Sequence, residues 1–319
     1  MYYNIRDSRE KANGKYGLRR IVKHFLCRKT VSSEKKDRFE PFLYDAVSFL
    51  EKYWRRKYMG TFGITVLGSG SSGNASIIHG PDGKILLDAG FSAKELEKRM
   101  QERSIEPESV RAVLITHEHG DHTKGCRVFA DRYGIDVYMT GPVCRVAEKN
   151  KFLPENRIIF SPGDSFELCG IQVGAFTLPH DAMDTVGFVF EYSGEKIGVA
   201  TDLGHVNSLI KERLKGSSLI MLESNHDPDI LRNSDRALSL KRRILSRHGH
   251  LCNADACAAL EEIITEKTRK VILAHISHEC NREEIAGQYA SNLLTRLNRE
   301  DIILRVASQG TPLESFFLL

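Results

Sequence analysis

The sequence predicts an α/β protein whose strands end in polar, ligand-rich turns. Two observations carry this reading. Over about the last 260 of its 319 residues, apolar runs of strand length alternate with segments of helical periodicity. Within that span, the run Val113-Leu114-Ile115 stops at Thr116-His117-Glu118-His119-Gly120-Asp121-His122, and helical spacing resumes directly afterwards. A segment of this size is an ordinary single domain that buries most of its apolar surface. Residues 59–319 are therefore expected to form one domain.

Strands are expected at 62–67, 75–79, 84–88 and 111–115, each a run rich in apolar or β-branched residues. A helix over 92–103 begins with Ser92 as N-cap and Glu95 at the capping-box position, and a second runs from about Asp121 to Tyr133. Further strands near 136–139, 157–160, 165–168, 171–178, 186–192, 196–200 and 218–223 are joined by Gly-bearing turns. Helices then dominate, at about 141–150, 205–214, 237–247, 253–266 and 281–298, with short strands at 270–274, 302–306 and 314–317.

The formal charge of +4 conceals an asymmetry. Of 46 Lys and Arg and 42 Asp and Glu, residues 1–58 hold 16 and 7, which leaves 30 and 35 for the remainder. Only this N-terminal extension is basic. Its stretches Leu18–Leu26 and Phe49–Lys57 are partly amphipathic at helical spacing, which fits a nucleic-acid contact, a membrane-surface helix, or a solvated extension that is disordered or partly helical. Met59 is also a candidate start, because the first strand follows at once. No apolar run reaches the roughly 18 residues of a membrane span, and Met1 opens no positive, apolar, small-residue leader. Seven scattered cysteines without a CxxC pair point to free thiols in a cytoplasm rather than to disulfides or a thiolate metal site.

The chemistry concentrates at residues 116–122. Three imidazoles and a carboxylate within six residues, at the end of a buried strand, supply enough nitrogen and oxygen for two divalent metals. His117 and His119, two apart in an extended turn, point the same way, whereas Asp121 and His122 sit on the first helical turn and point elsewhere. One metal is thus served by His117 and His119 and a second by Asp121 and His122. The loop Leu67-Gly68-Ser69-Gly70-Ser71-Ser72-Gly73-Asn74 is rich in backbone N–H and hydroxyl donors, and its Ser71, Ser72 and Asn74 are candidate phosphate contacts.

This HxHxDH pattern resembles the signature of the metallo-β-lactamase superfamily, and from about residue 60 onward the later motifs follow in that family's order. Leu178-Pro179-His180-Asp181, Ala200-Thr201-Asp202 and Leu273-Ala274-His275-Ile276-Ser277 each close a strand-like run. The resemblance implies that His180 and His275 complete the two metal sites, that Asp202 bridges them, and that Asp88, in Ile85-Leu86-Leu87-Asp88-Ala89-Gly90, orients a ligand. It also implies the four-layer αβ/βα sandwich of that family. Flavodiiron-type relatives replace the second histidine of the pattern by Glu; His119 is kept here, against an oxygen-reducing di-iron site.

Superfamily membership leaves the substrate open, because one scaffold hosts many chemistries. Leu222-Glu223-Ser224-Asn225-His226-Asp227 and His248-Gly249-His250-Leu251-Cys252-Asn253 resemble a variant of two ribonuclease Z motifs. That likeness implies that His250 assists the leaving oxygen and that Glu223 orients it. Between them Lys241, Arg242 and Arg243 form a basic run that suits a phosphate backbone or an ordinary solvated helix face. GSGSSGN, THEHGDH, ESNHD, KRRILS, GHLCN and LAHIS together resemble the YycJ/WalJ-type branch, bacterial cytoplasmic enzymes regarded as 5′-to-3′ DNA exonucleases. The extension is a departure from that branch, and no inserted domain of β-CASP size separates Asp202 from His275.

The resemblance implies a nucleic-acid phosphodiesterase, DNA being favoured over RNA. A hydroxide bridging two divalent metals, zinc or manganese, would attack the phosphorus, and His250 would protonate the departing oxygen. Asp121, Asp88, Glu223 and His250 are the residues expected to serve catalysis. Two other readings stay open: a thioester or lactone hydrolase, which needs neither His250 nor the basic run, and a module that binds metal and DNA without turnover.

Overall fold

The computed structural model describes residues 61–319. The basic extension, its two amphipathic stretches and the candidate start at Met59 lie outside the described residues. The first half of the described chain runs β1 (Gly63–Gly68), β2 (Ala75–Gly80), β3 (Gly83–Leu87), α1 (Ala93–Glu102), β4 (Val110–Leu114), α2 (Gly120–Thr123), α3 (Cys126–Tyr133), β5 (Asp136–Thr140), α4 (Gly141–Lys149) and β6 (Arg157–Phe160). The second half continues with β7 (Ser165–Leu168), β8 (Ile171–Leu178), β9 (Thr185–Tyr192), β10 (Glu195–Ala200), α5 (Ser208–Leu214), β11 (Leu219–Glu223), α6 (Pro228–Asn233), α7 (Leu238–Ile244), α8 (Asn253–Ile263), β12 (Lys270–Ala274), α9 (Glu283–Arg296), β13 (Ile303–Val306) and β14 (Phe316–Phe317).

Two seven-stranded mixed sheets result, ordered β14-β1-β2-β3-β4-β5-β6 and β13-β12-β11-β10-β9-β8-β7. Aromatic contacts join them, with Tyr138 stacked on Phe166 at 5.5 Å and Phe160 5.9 Å from Phe188. Side-chain alternation along each strand feeds two layers. In β4, Val113 packs with Leu96, Met100, Phe129 and Val143 of the outer helices. In β11, Ile220 and Leu222 pack with Leu214, Leu260 and Leu293 of the other helix layer, while Leu219 and Met221 are buried on the opposite face. Strands covered on both sides read as continuous apolar runs, which is why they stand out in the sequence. The four-layer αβ/βα sandwich is present.

Local rules place most boundaries. Ser92 Oγ accepts from Glu95 N as expected of an N-cap, and Gly134, at φ 62°, closes α3 in the left-handed conformation. The helix expected over residues 121–133 is instead broken. Gly125 donates to Ala89 O, and a Cβ there would lie 2.1 Å from Phe91 O, so the backbone must bend to pack against that loop. The short helix α6 is an addition to the expected elements, although Asp227 caps it and Pro228 opens it, a recognisable pair of start signals.

Parallel pairing then aligns the strand ends that matter. Leu87 pairs with Leu114 in the first sheet, and Ala200 with Leu222 and Glu223 with Ala274 in the second. Asp88, Thr116, Asp202, Glu223 and His275 therefore emerge at carboxyl ends of neighbouring strands, where open α/β sheets collect their ligands.

Candidate metal centre

Three residues of this edge hold unusual backbone conformations. Asp88, Asp202 and His275 have φ of 58°, 63° and 55°, a left-handed region that costs a non-glycine residue on the order of 1 kcal/mol. Asp88 and His275 directly follow a strand and Asp202 lies two residues beyond one, and the sharp turn carries each side chain back toward one centre.

Four overlapping groups of potential ligands form there: two are the expected triads, a third joins His117, His122 and Asp202, and a fourth joins Asp202, Glu223, His250 and His275. His117, His119 and His180 bring ligand atoms within 4.8 Å of one another, as do Asp121, His122 and His275. Asp202 lies between them, with Oδ1 4.0 Å from His180 Nε2 and Oδ2 3.3 Å from His122 Nε2. The donor set of imidazoles and carboxylates suits zinc or manganese. The donors fit a cation: among the described residues His180 Nε2, His275 Nε2 and Asp202 Oδ2 are buried without a hydrogen-bond partner, which a native core rarely tolerates.

The electrostatics agree. Burial, followed by the nearby His122, holds His117 well below the usual imidazole range, so it is neutral and free to ligate. Burial opposes a charge on His122 and His275 as well, yet Asp88 and Asp202 hold His122 well above that range. Asp202, Asp121 and Glu223 likewise push His275 up to about 10. Carboxylates gathered this tightly draw positive charge to the centre. The fold and these clusters together indicate divalent-metal binding.

Outer contacts fix each ring. Asp88 Oδ1 accepts from Thr116 N at 2.9 Å, and its Oδ2 lies 2.7 Å from His122 Nδ1, which turns His122 Nε2 inward. Thr116 Oγ1 meets His117 Nδ1 at 3.0 Å. His180 Nδ1 donates to Gly249 O at 3.1 Å. Gly249 is required in that turn, since a Cβ would lie 2.1 Å from Ile244 O. Glu223, fully buried, takes Nδ1 of His250 at 2.7 Å and Nδ1 of His275 at 2.9 Å on the same oxygen. Its other oxygen accepts Leu203 N at 2.9 Å and Leu251 N at 3.3 Å. Burial opposes ionisation of Glu223, but His250 and His275 bring it down to about 2.

The expected substrate contacts are dispersed. Ser71 and Arg243 line a cleft of about 200 Å³ together with His119, His180, Asp121, His275 and His250, and Arg243 is paired with Asp181 at 2.6 Å. Ser72 is exposed beside it, its N–H donating to Gln309 Oε1. Asn74 is buried and holds the loop together: its Oδ1 accepts from Ser69 Oγ and Gly70 N, and its amide reaches His122 Nε2 at 3.0 Å. Lys241 spends its ammonium on Arg232 O, and neither it nor Arg242 is among the cleft residues. Sequence reading missed Ser69 and Asn225, which bind His275 N and His275 O at 2.9 and 2.8 Å. Their positions in GSGSSGN and ESNHD were the available signal.

The fold and this site define the class. A family model described as a β-lactamase superfamily domain matches residues 84–276, and the chain belongs to the metallo-β-lactamase superfamily. Within it the chain is similar to Exodeoxyribonuclease YycJ of Bacillus anthracis, 36% identical over 233 residues that cover 72% of this chain and 88% of that protein. It is also similar to Exodeoxyribonuclease WalJ of Streptococcus pneumoniae, 34% identical over 239 residues, 74% of this chain and 89% of that one. Among solved structures, the metallo-β-lactamase fold protein YhfI from Bacillus subtilis shares the fold with a TM-score of 0.61 at 14% identity, covering 80% of this chain and 99% of that one. No described helix is long and apolar enough to cross a membrane.

Proposed function

We propose that this protein is a metal-dependent nuclease, and within that class a 5′-to-3′ DNA exonuclease that works with two divalent cations, zinc or manganese, in the cytoplasm. Residues 59–319 would be its catalytic domain. The observation that carries the reading is the Glu223–His250 pair, set beside the two triads and belonging to neither. A thioester or lactone hydrolase needs no such pair. The relatives' names favour DNA, and the six described cysteines, all free, suit a reducing compartment.

His117, His119 and His180 would hold one cation and Asp121, His122 and His275 the other, with Asp202 shared. Cations held there supply an acidified water and positive charge against the phosphoryl oxygens. The chain's own residues do the rest. Asp88 and Glu223 keep His122 and His275 in the ligating orientation. His250 donates its Nδ1–H to Glu223 Oε1, which leaves Nε2 for the oxygen that departs from phosphorus. Proton donation of this kind contributes roughly 10²–10⁴-fold. Ser71 and Arg243 offer a hydroxyl and a guanidinium to the phosphate.

End-labelled single- and double-stranded DNA and RNA, digested with added manganese or zinc, test this. Release of mononucleotides from the 5′ end of DNA is expected. Turnover of a thioester with no phosphodiester cleavage, or DNA binding with no cleavage, would overturn it.

A further inference from the structure

The cleft lined by members of both triads adjoins a second one. That second cleft, of about 490 Å³, shares Ser71 and Asp121 with the first and extends past Lys124 to Asn150 and Phe152. His250 and Arg243 line the first cleft and not the second. The volume is that of a small-molecule site.

Its lining matches one kind of occupant. Lys124 is exposed, and its ammonium forms no ion pair among the described residues. Phe152 is half-buried, anchored on the core cluster that includes Val143 and Ala147, with the remainder of the side chain lining the cleft. Two carboxylates share the lining: Glu118 Oε1 accepts from Met183 N at 2.8 Å while its Oε2 is buried without a hydrogen-bond partner among the described residues, and Asp121 belongs to a triad. A cation without an ion pair among the described residues, lining one cleft with an aromatic side chain, is the combination by which proteins hold a phosphate and an unpaired base of a single strand.

We infer that this cleft holds the nucleotide on the phosphate side of the scissile bond, its base against Phe152 and its next phosphate on Lys124. The inference rests on the phosphodiesterase reading above. Hydrolysis adds water's oxygen to phosphorus and breaks its bond to the 3′ oxygen of the departing nucleotide, which takes a proton from His250. The departing nucleotide therefore lies on the His250 side. The retained strand carries the attacked phosphate and exits through the other opening, past Ser71 and Asp121.

The test uses the metal-loaded protein, oligothymidylate, the same strand with an abasic nucleotide just 3′ of the scissile phosphate, and bis(p-nitrophenyl) phosphate. Phe152→Leu, which keeps the buried bulk, should raise KM on the intact strand roughly tenfold and add little on the abasic strand, because the two changes remove the same stacking interaction. Phe152→Tyr should retain the wild-type KM. Lys124→Ala should lower the salt dependence of Kd, read by fluorescence anisotropy, by about 0.7 in log–log slope. Losses on the small diester should be far smaller than on the strand. An equal Phe152→Leu penalty with and without the base, or an unchanged slope for Lys124→Ala, would sink the subsite while wild-type digestion of DNA stands. Wild-type protein that hydrolyses a thioester and no DNA would instead sink the nuclease reading.

Discussion

Oε1 of Glu223 lies 2.7 Å from Nδ1 of His250, and the same oxygen lies 2.9 Å from Nδ1 of His275. One buried carboxylate therefore orients a proposed metal ligand and a proposed proton donor together. Both rings share Oε1 and two backbone N–H groups share Oε2, so Glu223→Gln sets an amide N–H either against both rings or against Leu203 N and Leu251 N. It should reduce both metal affinity and kcat, each by roughly 10–100-fold, as loss of a ligand's orienting partner typically does. Metal content after dialysis, measured beside kcat, checks this; a variant that lost kcat and kept full metal would confine Glu223 to His250.

His250→Ala separates the two roles. His250 lies outside both triads, so its removal should leave metal content intact while kcat on DNA falls roughly 10²-fold or more. The deficit should shrink on a nitrophenyl phosphodiester, whose leaving group departs without a proton. Equal losses on both substrates would mean that the ring stabilises phosphoryl charge instead.

Asp88 contacts no expected cation, yet it fixes His122 through Nδ1. Asp88→Asn tolerates the left-handed backbone, since Asn populates that region, but it sets an amide N–H or a weaker acceptor against the ring. Metal affinity should fall on the order of 10–100-fold with little change in melting temperature. Direct removal of a ligand, in Asp121→Ala or His122→Ala, should abolish one metal and almost all hydrolysis. Elemental analysis that found both metals in these two variants would contradict the assignment.

His79 predicts an acid-sensitive contribution far from the site. Burial, with Lys84 near, brings its imidazole down to about 4, and its Nε2 lies 2.7 Å from Thr65 Oγ1. The ring stays neutral in the folded protein to about pH 4, whereas the unfolded chain takes up its proton below about pH 6.5. This contribution is complete above pH 6.5 and is lost as pH falls toward 4, by up to about 3 kcal/mol across the window. His79→Gln keeps a hydrogen-bonding partner for Thr65 and removes the titration. Urea unfolding at pH 7 and pH 4.5 should therefore differ less for the variant than for the wild type; identical differences would exclude His79 as the source.

The basic extension makes a separate prediction from charge alone. All the proposed catalytic motifs lie beyond Met59, so a chain starting there should fold and keep its metals, shown by thermal melting and elemental analysis. If residues 1–58 bind phosphates, their removal should weaken DNA binding and flatten its salt dependence on duplex DNA, by about 0.9 for every phosphate the extension had neutralised. An unchanged slope would leave the extension without a part in binding.

Local rules made much of this protein legible. Thr116–His122 declared its chemistry because seven consecutive residues carry it, Ser92 announced its helix by capping, and strands buried on both faces printed themselves as apolar runs. The order of His180, Asp202 and His275 after strand-like segments pointed to the remaining proposed ligands. Tertiary structure alone decided which of these groups share a partner. Glu223 meets residues 27 and 52 positions away, Gly249 turns its carbonyl to His180, and Gly125 breaks a helix that its own periodicity would continue, because a distant loop needs the space. Lys241 and Arg242, persuasive as a basic run, stand outside the cleft lining, whereas Lys124 and Phe152 gave no local signal and line the second cleft. Backbone propensity and burial are written in neighbouring residues. The meeting of side chains from five strand ends depends on strand order and register, which only the packing of the whole sandwich fixes.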